Sequence, residues 1–238
     1  MTKNNVKKVI SEIKEIGNPE IANHSQRFFK TGKGEYGEGD KFLGIRVPQI
    51  RKFVAKYHTL EIKEIVEILH SEYHELRLFA LLTLVKKFSK CKDEICKKGI
   101  FDTYLDNTKY INNWDLIDTT APQIIGGYLM NKGRNILYKF AKSDNLWERR
   151  ISIISTFQFI KANDFGDTLK ISEILLNDSH DLIHKAVGWM LREVGNRSIS
   201  TEEEFLKKYY KNMPRTMLRY AIEKFPEEKR KAYLLGKI

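Results

Sequence analysis

Apolar residues recur at spacings of three and four along nearly the whole chain, and this periodicity limits the fold more than any other feature. Near the N-terminus it runs through Val6, Val9, Ile10, Ile13 and Ile16. Such spacing places side chains on one face of an α-helix, whereas a strand would show alternation. Five prolines interrupt the pattern, and no alternating segment persists for long. The sequence therefore predicts an all-α protein.

Turn-forming and helix-starting residues divide the periodic pattern into helices. The segment 17–19 (Gly-Asn-Pro) ends the first helix, and Pro48 occupies a position that a helix N-terminus tolerates. After the first helix, the predicted helices are 21–29, 49–56, 61–69, 75–88, 93–107, 113–130, 134–141, 146–161, 166–176, 181–194, 201–211 and 214–224.

A local pattern repeats among these helices. The segment 75–82 resembles 147–154, and 181–187 follows the same rhythm, so that Ala80, Ser152 and Ala186 lie 72 and 34 residues apart. A period of about 34–36 residues is typical of HEAT and armadillo helix pairs, which must stack to bury their apolar faces. We therefore expect residues 1–238 to form one domain, a curved α-solenoid of antiparallel helix pairs with a concave surface.

The segment 30–41 departs from the helical pattern. It has glycines at 32, 34, 37 and 39, which cannot continue a helix. The sequence predicts a loop or short hairpin inserted into the repeat domain.

The repeat also aligns positions 78, 114, 150 and 184 on successive second helices. Their occupants are Leu78, Trp114, Arg150 and His184. A row that passes from apolar to aromatic, cationic and imidazole side chains is unusual for a purely structural face. We expect it to line one surface, with His184 as a polar lining residue.

The charge balance favours an anionic partner. The chain has 42 Lys and Arg against 31 Asp and Glu, a formal charge of +11. Such a field attracts polyanions, most commonly nucleic acid, although a merely solubilising excess is the alternative. No stretch approaches the ~20 apolar residues of a membrane span, and the N-terminus lacks an apolar signal-peptide core.

The two cysteines indicate the redox environment. Cys91 and Cys96 lie in one charged segment, which argues against a disulfide scaffold and favours a reducing cytosol. No Cys-x-x-Cys or His-x3-5-His pair accompanies them, so we expect no zinc.

Four short motifs follow one another along the chain. They are 42–48 (FLGIRVP), 113–118 (NWDLID), 147–150 (WERR) and 185–193 (KAVGWMLRE). In content and order they resemble the AlkD-type DNA alkylation-repair glycosylases, and the resemblance covers nearly the whole chain.

The resemblance implies a fold and an activity. In that family, HEAT-like repeats hold duplex DNA against a basic concave groove, and the enzyme hydrolyses the N-glycosidic bond of purines alkylated at N3 or N7. The lesion stays largely within the duplex, unlike in most glycosylases. We expect a base excision repair enzyme acting on double-stranded DNA with alkylated purines, with no metal or organic cofactor. We also expect no membrane partner, a monomeric state, and a cytoplasmic, nucleoid-associated location.

The same resemblance assigns four catalytic-site residues. Asp118 matches the catalytic carboxylate, Trp114 and Trp189 the two indoles that face the sugar, and Arg150 the arginine that contacts phosphate. Each residue type suits its role. A carboxylate and electron-rich indole faces stabilise an oxocarbenium-like transition state, and a guanidinium binds phosphate bidentately.

Further residues are predicted to bind DNA. The family has a DNA-contacting tyrosine near position 28, and its equivalent here is either Phe28 or Tyr36. The other predicted DNA-binding residues are Arg149, Lys185, Arg192, Arg215 and Arg219.

Less specific interpretations stand beside these assignments. Asp118 could be a solvated helix residue or form an acidic patch with Asp115, the indoles could pack between helices, and Arg150 could pair with Glu148 or another repeat's carboxylate. We assign Trp147 to the core. Two other functions also fit: a non-catalytic binder of branched or damaged DNA, which the glycine-rich insert favours, and a HEAT-type protein-interaction scaffold with negligible affinity for DNA.

Overall fold

The computed structural model describes the backbone of residues 2–238 and the side chains from Asn5 onward. The described residues form helices joined by turns and loops, and the only β-type pairing among them is an isolated bridge between Lys41 and Tyr73. The predicted all-α class is confirmed.

The helices group into two compact units, one ending at Thr120 and the other beginning at Ala121. The expectation that residues 1–238 form a single domain stays a prediction. Unit 1 contains α1 Thr2–Glu15, α2 Pro19–Phe28, α3 Val47–Lys56, α4 Ile62–Leu69, α5 His74–Lys90, α6 Glu94–Asp106, a 3-10 turn Thr108–Tyr110, and α7 Trp114–Asp118.

Helix α5 is the packing centre of unit 1. It contacts α3, α4, α6 and α7, while α1 packs on α4. Its apolar residues Leu76, Phe79, Leu81 and Leu84 are at most 1% exposed. Their burial removes apolar surface from water and provides the main favourable free energy of this unit.

The junction before α3 is tied to α5 by one carboxylate. Glu75 accepts the backbone amides of Leu43, Gly44 and Ile45 at 2.8–3.2 Å. Gly44 has φ +77°, and a Cβ there would lie 2.0 Å from the carbonyl oxygen of Asn18. Only glycine fits this position, because L side chains rarely adopt that φ and the space is filled by backbone.

The glycine-rich segment 30–41 is a loop of consecutive hydrogen-bonded turns. Four of its amides, those of Glu35, Gly37, Glu38 and Asp40, bond to carbonyls of the same segment, for example Gly37 N to Lys30 O at 3.0 Å. The Glu35 and Glu38 carboxylates accept the amides of Gly32 and Gly34, both at 2.8 Å. These acidic side chains therefore serve the loop's own backbone.

Unit 2 begins with a π-helical turn and is built around its longest helix. Its elements are the π-helix Pro122–Gly126, α8 Asn135–Ala141, α9 Leu146–Ser155, α10 Phe157–Lys161, α11 Gly166–Ile174, α12 Asp181–Gly195, α13 Ile199–Tyr209, α14 Arg215–Ala221, a 3-10 turn Ile222–Lys224, and α15 Glu227–Leu234. Helix α12 packs against α9, α11, α13 and α14. Within each unit, neighbouring helices stack as the repeat pattern predicts.

Two predicted helices are wrong as continuous elements. The helix expected over 113–130 ends at Asp118, and the one expected over 146–161 is interrupted after Ser155. At both places hydroxyl side chains donate to carbonyls of the preceding turn: Thr120 to Leu116 O at 2.5 Å and Thr156 to Ile153 O at 2.7 Å. Such bonds compete with the helical ladder. Thr120 and Thr156 are 36 residues apart, so the interruption follows the repeat.

The cysteines differ from the sequence-based expectation. Cys91 directly follows α5, and Cys96 lies in the first turn of α6. Their Cα atoms are 5.6 Å apart, and the two sulfurs form a disulfide. The short connection between the helices explains the proximity. Across the described residues, none of the helices combines the length and apolar character needed to traverse a bilayer.

Candidate functional site

Helix α7 carries the first two predicted catalytic residues. Asn113 caps its start, with the side-chain oxygen accepting the Trp114 amide at 2.9 Å. Leu116 and Ile117 are fully buried, whereas Trp114 and Asp118 are half-buried. Because residues four apart lie on one helical face, the indole and the carboxylate share the same side of α7.

Two phenylalanines surround the indole of Trp114. Phe29 stacks on it at 5.4 Å between ring centroids with 21° between the planes, and Phe28 meets it edge-on at 6.0 Å. Phe28 is 58% exposed, an unusual position for a large apolar side chain. The structure thus places one of the two candidate DNA-contacting aromatics beside Trp114, while Tyr36 lies half-buried in the turns of segment 30–41.

Asp118 influences a buried phenol that the sequence reasoning missed. Burial raises the pKa of Tyr104, the hydrogen bond with Thr120 lowers it, and the charge of Asp118 raises it again, leaving it well above its usual value. The Tyr104 hydroxyl lies 3.1 Å from the Thr120 hydroxyl. In the sequence, the position of Tyr104 within the apolar stripe of α6 was the only local indication that this phenol is buried.

Asp115 does not form the solvated acidic patch with Asp118 that the sequence suggested, because its carboxylate is bound to a histidine. Its Oδ2 lies 2.8 Å from Nε2 of His74 on α5. The two acids on α7 therefore differ in their surroundings, since Asp115 is committed to an ion pair.

In unit 2, Trp189 lies half-buried on α12. Its Nε1 donates to Glu193 Oε1 at 3.0 Å, and its ring lies 6.0 Å from that of Phe157. Trp147 is 9% exposed, which confirms its assignment to the core.

Arg150 is placed differently from the exposed lining residue that the repeat row predicts. It is 4% exposed, and its Nη1 donates to the carbonyl of Leu182 on α12 at 2.5 Å. The packing of α9 on α12 covers the guanidinium. Leu78, in the same row, is 3% exposed. The row is thus not uniformly a surface, and a phosphate contact by Arg150 stays a prediction.

Three other predicted DNA-binding cations have carboxylate partners inside unit 2. Arg149 donates to Asp178 at 2.6 Å, Lys185 pairs with Asp181 at 2.7 Å, and Arg192 binds Glu223. Arg149 is additionally held by two backbone carbonyls. A phosphate would have to compete with these partners.

The last two predicted cations, Arg215 and Arg219, line one cavity. It has a volume of about 490 Å³ beside α14 and α15, and Arg230, which the sequence reasoning did not single out, lines it too. Arg215 is fixed by donating to Leu234 O at 2.6 Å. The one carboxylate that lines the cavity, Glu223, is bound by Arg192. This concentration of guanidinium groups suits phosphate binding.

The structure thus gathers predicted residues within each unit. In unit 1 it brings Phe28 and Trp114 together and places Asp118 on the same helix; in unit 2 it brings Arg215 and Arg219 together. Among the described residues, no three His, Cys, Asp or Glu side chains group as a possible metal site, and the expected lack of a cofactor stays a prediction.

One protein family matches most of the chain. The family described as DNA alkylation repair enzyme matches residues 9–225. A solved structure titled a predicted DNA alkylation repair enzyme from Enterococcus faecalis is similar in fold, with a TM-score of 0.70 and 16% sequence identity over 89% of this chain and 97% of that one. Among curated proteins, none shows significant similarity to the chain.

Proposed function

Because this chain belongs to the DNA alkylation repair enzyme family, we propose that it is a DNA glycosylase of base excision repair. Its substrates are purines in duplex DNA that carry a positive charge after alkylation at N3 or N7. The observation that supports this most directly is α7, which holds Trp114 and Asp118 on one face with the exposed ring of Phe28 beside the indole.

The reaction needs a stabilised cation more than it needs an acid. When the bond between C1′ and the purine nitrogen breaks, both electrons go to the base and cancel its charge. The sugar then carries oxocarbenium character, which a carboxylate such as Asp118 stabilises. Water adds to C1′ and loses a proton, and Asp118 can orient that water. No general acid is required, because the base leaves as a neutral molecule.

The indoles contribute through their electron-rich faces. A cation beside an indole face is stabilised by about 0.5–2 kcal/mol, with the larger values in sites without water. Phe29 stacks on Trp114 and restricts its ring orientation. Trp189 is proposed to act in the same way.

Duplex binding is proposed to rest on the cations of unit 2. Arg215 and Arg219 are the best supported, since they line a cavity with a third arginine. Three other cations would exchange a carboxylate partner for a DNA phosphate: Arg149, Lys185 and Arg192. Arg150 would exchange the carbonyl of Leu182 for a phosphate. Arginine contacts to phosphate fix the register of the protein on the duplex.

Base release tests the proposal. Wild-type protein is expected to free 7-methyl- or 3-methylpurines from a methylated duplex at low salt, and Asp118→Asn is expected to lose about a hundredfold or more in rate, the scale of removing one stabilising electrostatic group. Asp106→Asn, which removes the same charge from an exposed position of unit 1, is the matched control and should retain the wild-type rate. Absence of release by the wild type rejects catalysis, and full activity of Asp118→Asn rejects the assigned role.

A non-catalytic binder of branched or damaged DNA is the second candidate. The burial of Arg150 favours it, because this guanidinium is engaged inside unit 2. This function predicts tighter binding to a four-way junction than to plain duplex and no base release. The same purified protein can be tested for both activities.

A further inference from the structure

Four charged residues of unit 1 form an ionic cluster that connects three elements. We define the ionic cluster as Asp40 from segment 30–41, His74 and Arg77 from α5, and Asp115 from α7. Asp40, His74 and Arg77 are at most 6% exposed. Charges buried to this extent are costly unless they are paired, so their arrangement is specific.

The geometry around His74 fixes its charge. Nδ1 lies 3.3 Å from Asp40 Oδ2, and Nε2 lies 2.8 Å from Asp115 Oδ2. A neutral imidazole has one donor and one acceptor, whereas an ionised carboxylate only accepts. Both contacts can be hydrogen bonds to carboxylates only if both ring nitrogens carry protons, so His74 is an imidazolium in this arrangement.

Asp40 joins the glycine-rich loop to the start of α7. Its Oδ1 accepts from Arg77 Nη2 at 2.7 Å, and its Oδ2 accepts from Asn113 Nδ2 at 3.2 Å. Asn113 is also the residue that caps α7. The side-chain contacts of one loop carboxylate therefore reach the residue immediately before Trp114.

A series of stacked rings makes a second connection to the same indole. The ring of His74 stacks on Phe42 at 4.6 Å, Phe42 stacks on Phe29 at 5.0 Å, and Phe29 stacks on Trp114 at 5.4 Å. Displacement of the imidazole would thus be transmitted to Trp114 by packing as well as by hydrogen bonds.

Asp115 depends on His74 in particular. Its Oδ2 bonds to the imidazolium, while its Oδ1 is buried and has no hydrogen-bond partner among the described residues. Loss of the imidazolium charge would leave a carboxylate in the first turn of α7 without its cation.

From these contacts we propose that His74 is a positioning residue that holds Trp114 in its orientation through Asp115, Asn113 and the ring stack. In this arrangement the glycine-rich loop supplies Asp40, and Phe42 follows the loop directly. The positioning is a property of the fold, and its effect on catalysis rests on the proposed function.

Proton loss from His74 gives a way to test this. Burial lowers the pKa of His74, but the charge and hydrogen bond of Asp115 and the hydrogen bond of Asp40 outweigh burial and raise it to about 9, with the charge of Arg77 opposing them. These three groups are the charged side chains that act on His74 from segment 30–41, α5 and α7. Deprotonation near pH 9 should therefore loosen Trp114.

Tryptophan emission reports this directly. The chain has three tryptophans, so Trp147→Phe with Trp189→Phe leaves Trp114 as the sole reporter. We expect its emission maximum to shift to longer wavelength between pH 8 and 10 with a midpoint near 9. We call this double variant the parent protein. If its emission maximum does not shift while it remains folded, the proposal is overturned, and no variant of the ionic cluster is needed for that result.

Variants then assign the transition to His74. His74→Gln should show the long-wavelength maximum already at pH 7 and no transition, and Asp115→Asn should lower the midpoint. His70→Gln is the matched control, because His70 contacts Asn107 and Tyr110 instead of the ionic cluster, and it should keep the parent transition. A transition that persists unchanged in His74→Gln also overturns the proposal.

Kinetics connect the cluster to the reaction. His74→Gln should lower kcat by about tenfold or more while KM changes less than about threefold, as expected when a transition-state group is misplaced. Unchanged kcat per folded molecule would limit His74 to a structural role. The emission measurement does not depend on enzymatic activity. It therefore still tests the positioning role of His74 if the protein proves not to be a glycosylase.

Discussion

Glu202 is a carboxyl group in an environment that does not support its charge. It lies on α13, is 1% exposed, and its Oε1 has no hydrogen-bond partner among the described residues. Burial raises its pKa, and the neighbouring charge of Glu203 raises it further, to about 8. In the folded protein Glu202 is therefore mostly neutral at pH 7, whereas in the unfolded chain it is ionised.

Replacement of Glu202 should remove a pH-dependent loss of stability. A raised carboxyl pKa makes the folded state bind the proton more tightly, so the free energy of unfolding falls as pH rises from about 4.5 to about 8. A shift of this size corresponds to about 5 kcal/mol. Urea unfolding should show Glu202→Gln to be more stable than wild type at pH 8.5 and similar to it at pH 4. Glu204→Gln, at an exposed neighbouring position, should track wild type throughout. Parallel curves for wild type and Glu202→Gln would contradict this account.

Residue-level prediction works where the information is local. The four-residue spacing of Trp114 and Asp118 is enough to place them on one face of a helix, and the cap by Asn113 follows from its residue type. The two partners of His74 are distant in the sequence. Asp40 and Asp115 lie 34 and 41 residues from it and come into contact with it only through tertiary packing. Arg150 illustrates the converse: its chemistry suggests an exposed phosphate contact, and packing against α12 buries it.

At the level of elements, one glycine sets the approach of two helices. Gly188 lies on α12 where it packs against α14, and a Cβ there would be 2.4 Å from the carbonyl oxygen of Met217 and 2.5 Å from Cβ of Tyr220. Neither is the end of a flexible side chain. Helix α14 carries Arg215 and Arg219, so the close approach at Gly188 also determines where these cations lie.

Gly188→Ala should destabilise unit 2. The added methyl must push α14 away from α12, which costs about 2 kcal/mol, the usual scale of overpacking. Gly99→Ala is a sensitive control, since Gly99 also lies within a helix but a Cβ added there would meet no atom of a neighbouring element within 4 Å. That change should stabilise the protein by about 0.5–1 kcal/mol. The measurement is the urea concentration at the unfolding midpoint, with one common dependence of the unfolding free energy on urea for all variants. An unchanged midpoint for Gly188→Ala would contradict the prediction, because α14 could then move away from α12 with no loss of stability.

The helices themselves were largely predictable, and the exceptions have physical reasons. Long apolar stripes located α5 and α12 to within a few residues. The interruptions near Thr120 and Thr156 were not predicted, because the apolar spacing continues through them and only the hydroxyl bonds reveal the break. Helix α15, Glu227–Leu234, was missed as well. Tyr233 is its one buried residue, which leaves almost no apolar stripe to detect.

For the whole molecule, the excess positive charge is unevenly divided. Residues up to Thr120 contain 21 Lys and Arg against 17 Asp and Glu, and residues from Ala121 contain 21 against 14. Unit 2 thus carries +7 of the formal +11. Several cations of unit 2 are already held in ion pairs, among them Arg149, Lys185 and Arg192, so the number of phosphates bound should be smaller than the number of cations.

Salt dependence measures how many cations meet phosphate. Each phosphate neutralised releases condensed counterions, so the logarithm of duplex affinity should fall linearly with the logarithm of salt concentration, by about 0.9 per contact. Arg219→Ala removes a guanidinium that lines the cavity beside α14, and should weaken binding and flatten the slope by about one unit. Lys63→Ala removes the same charge from a residue paired with Glu61 on the surface of unit 1, and should leave the slope unchanged. Equal slopes for Arg219→Ala and wild type would remove this arginine from the duplex interface, and a flat response of the wild type would favour a protein-interaction scaffold over a DNA-binding enzyme.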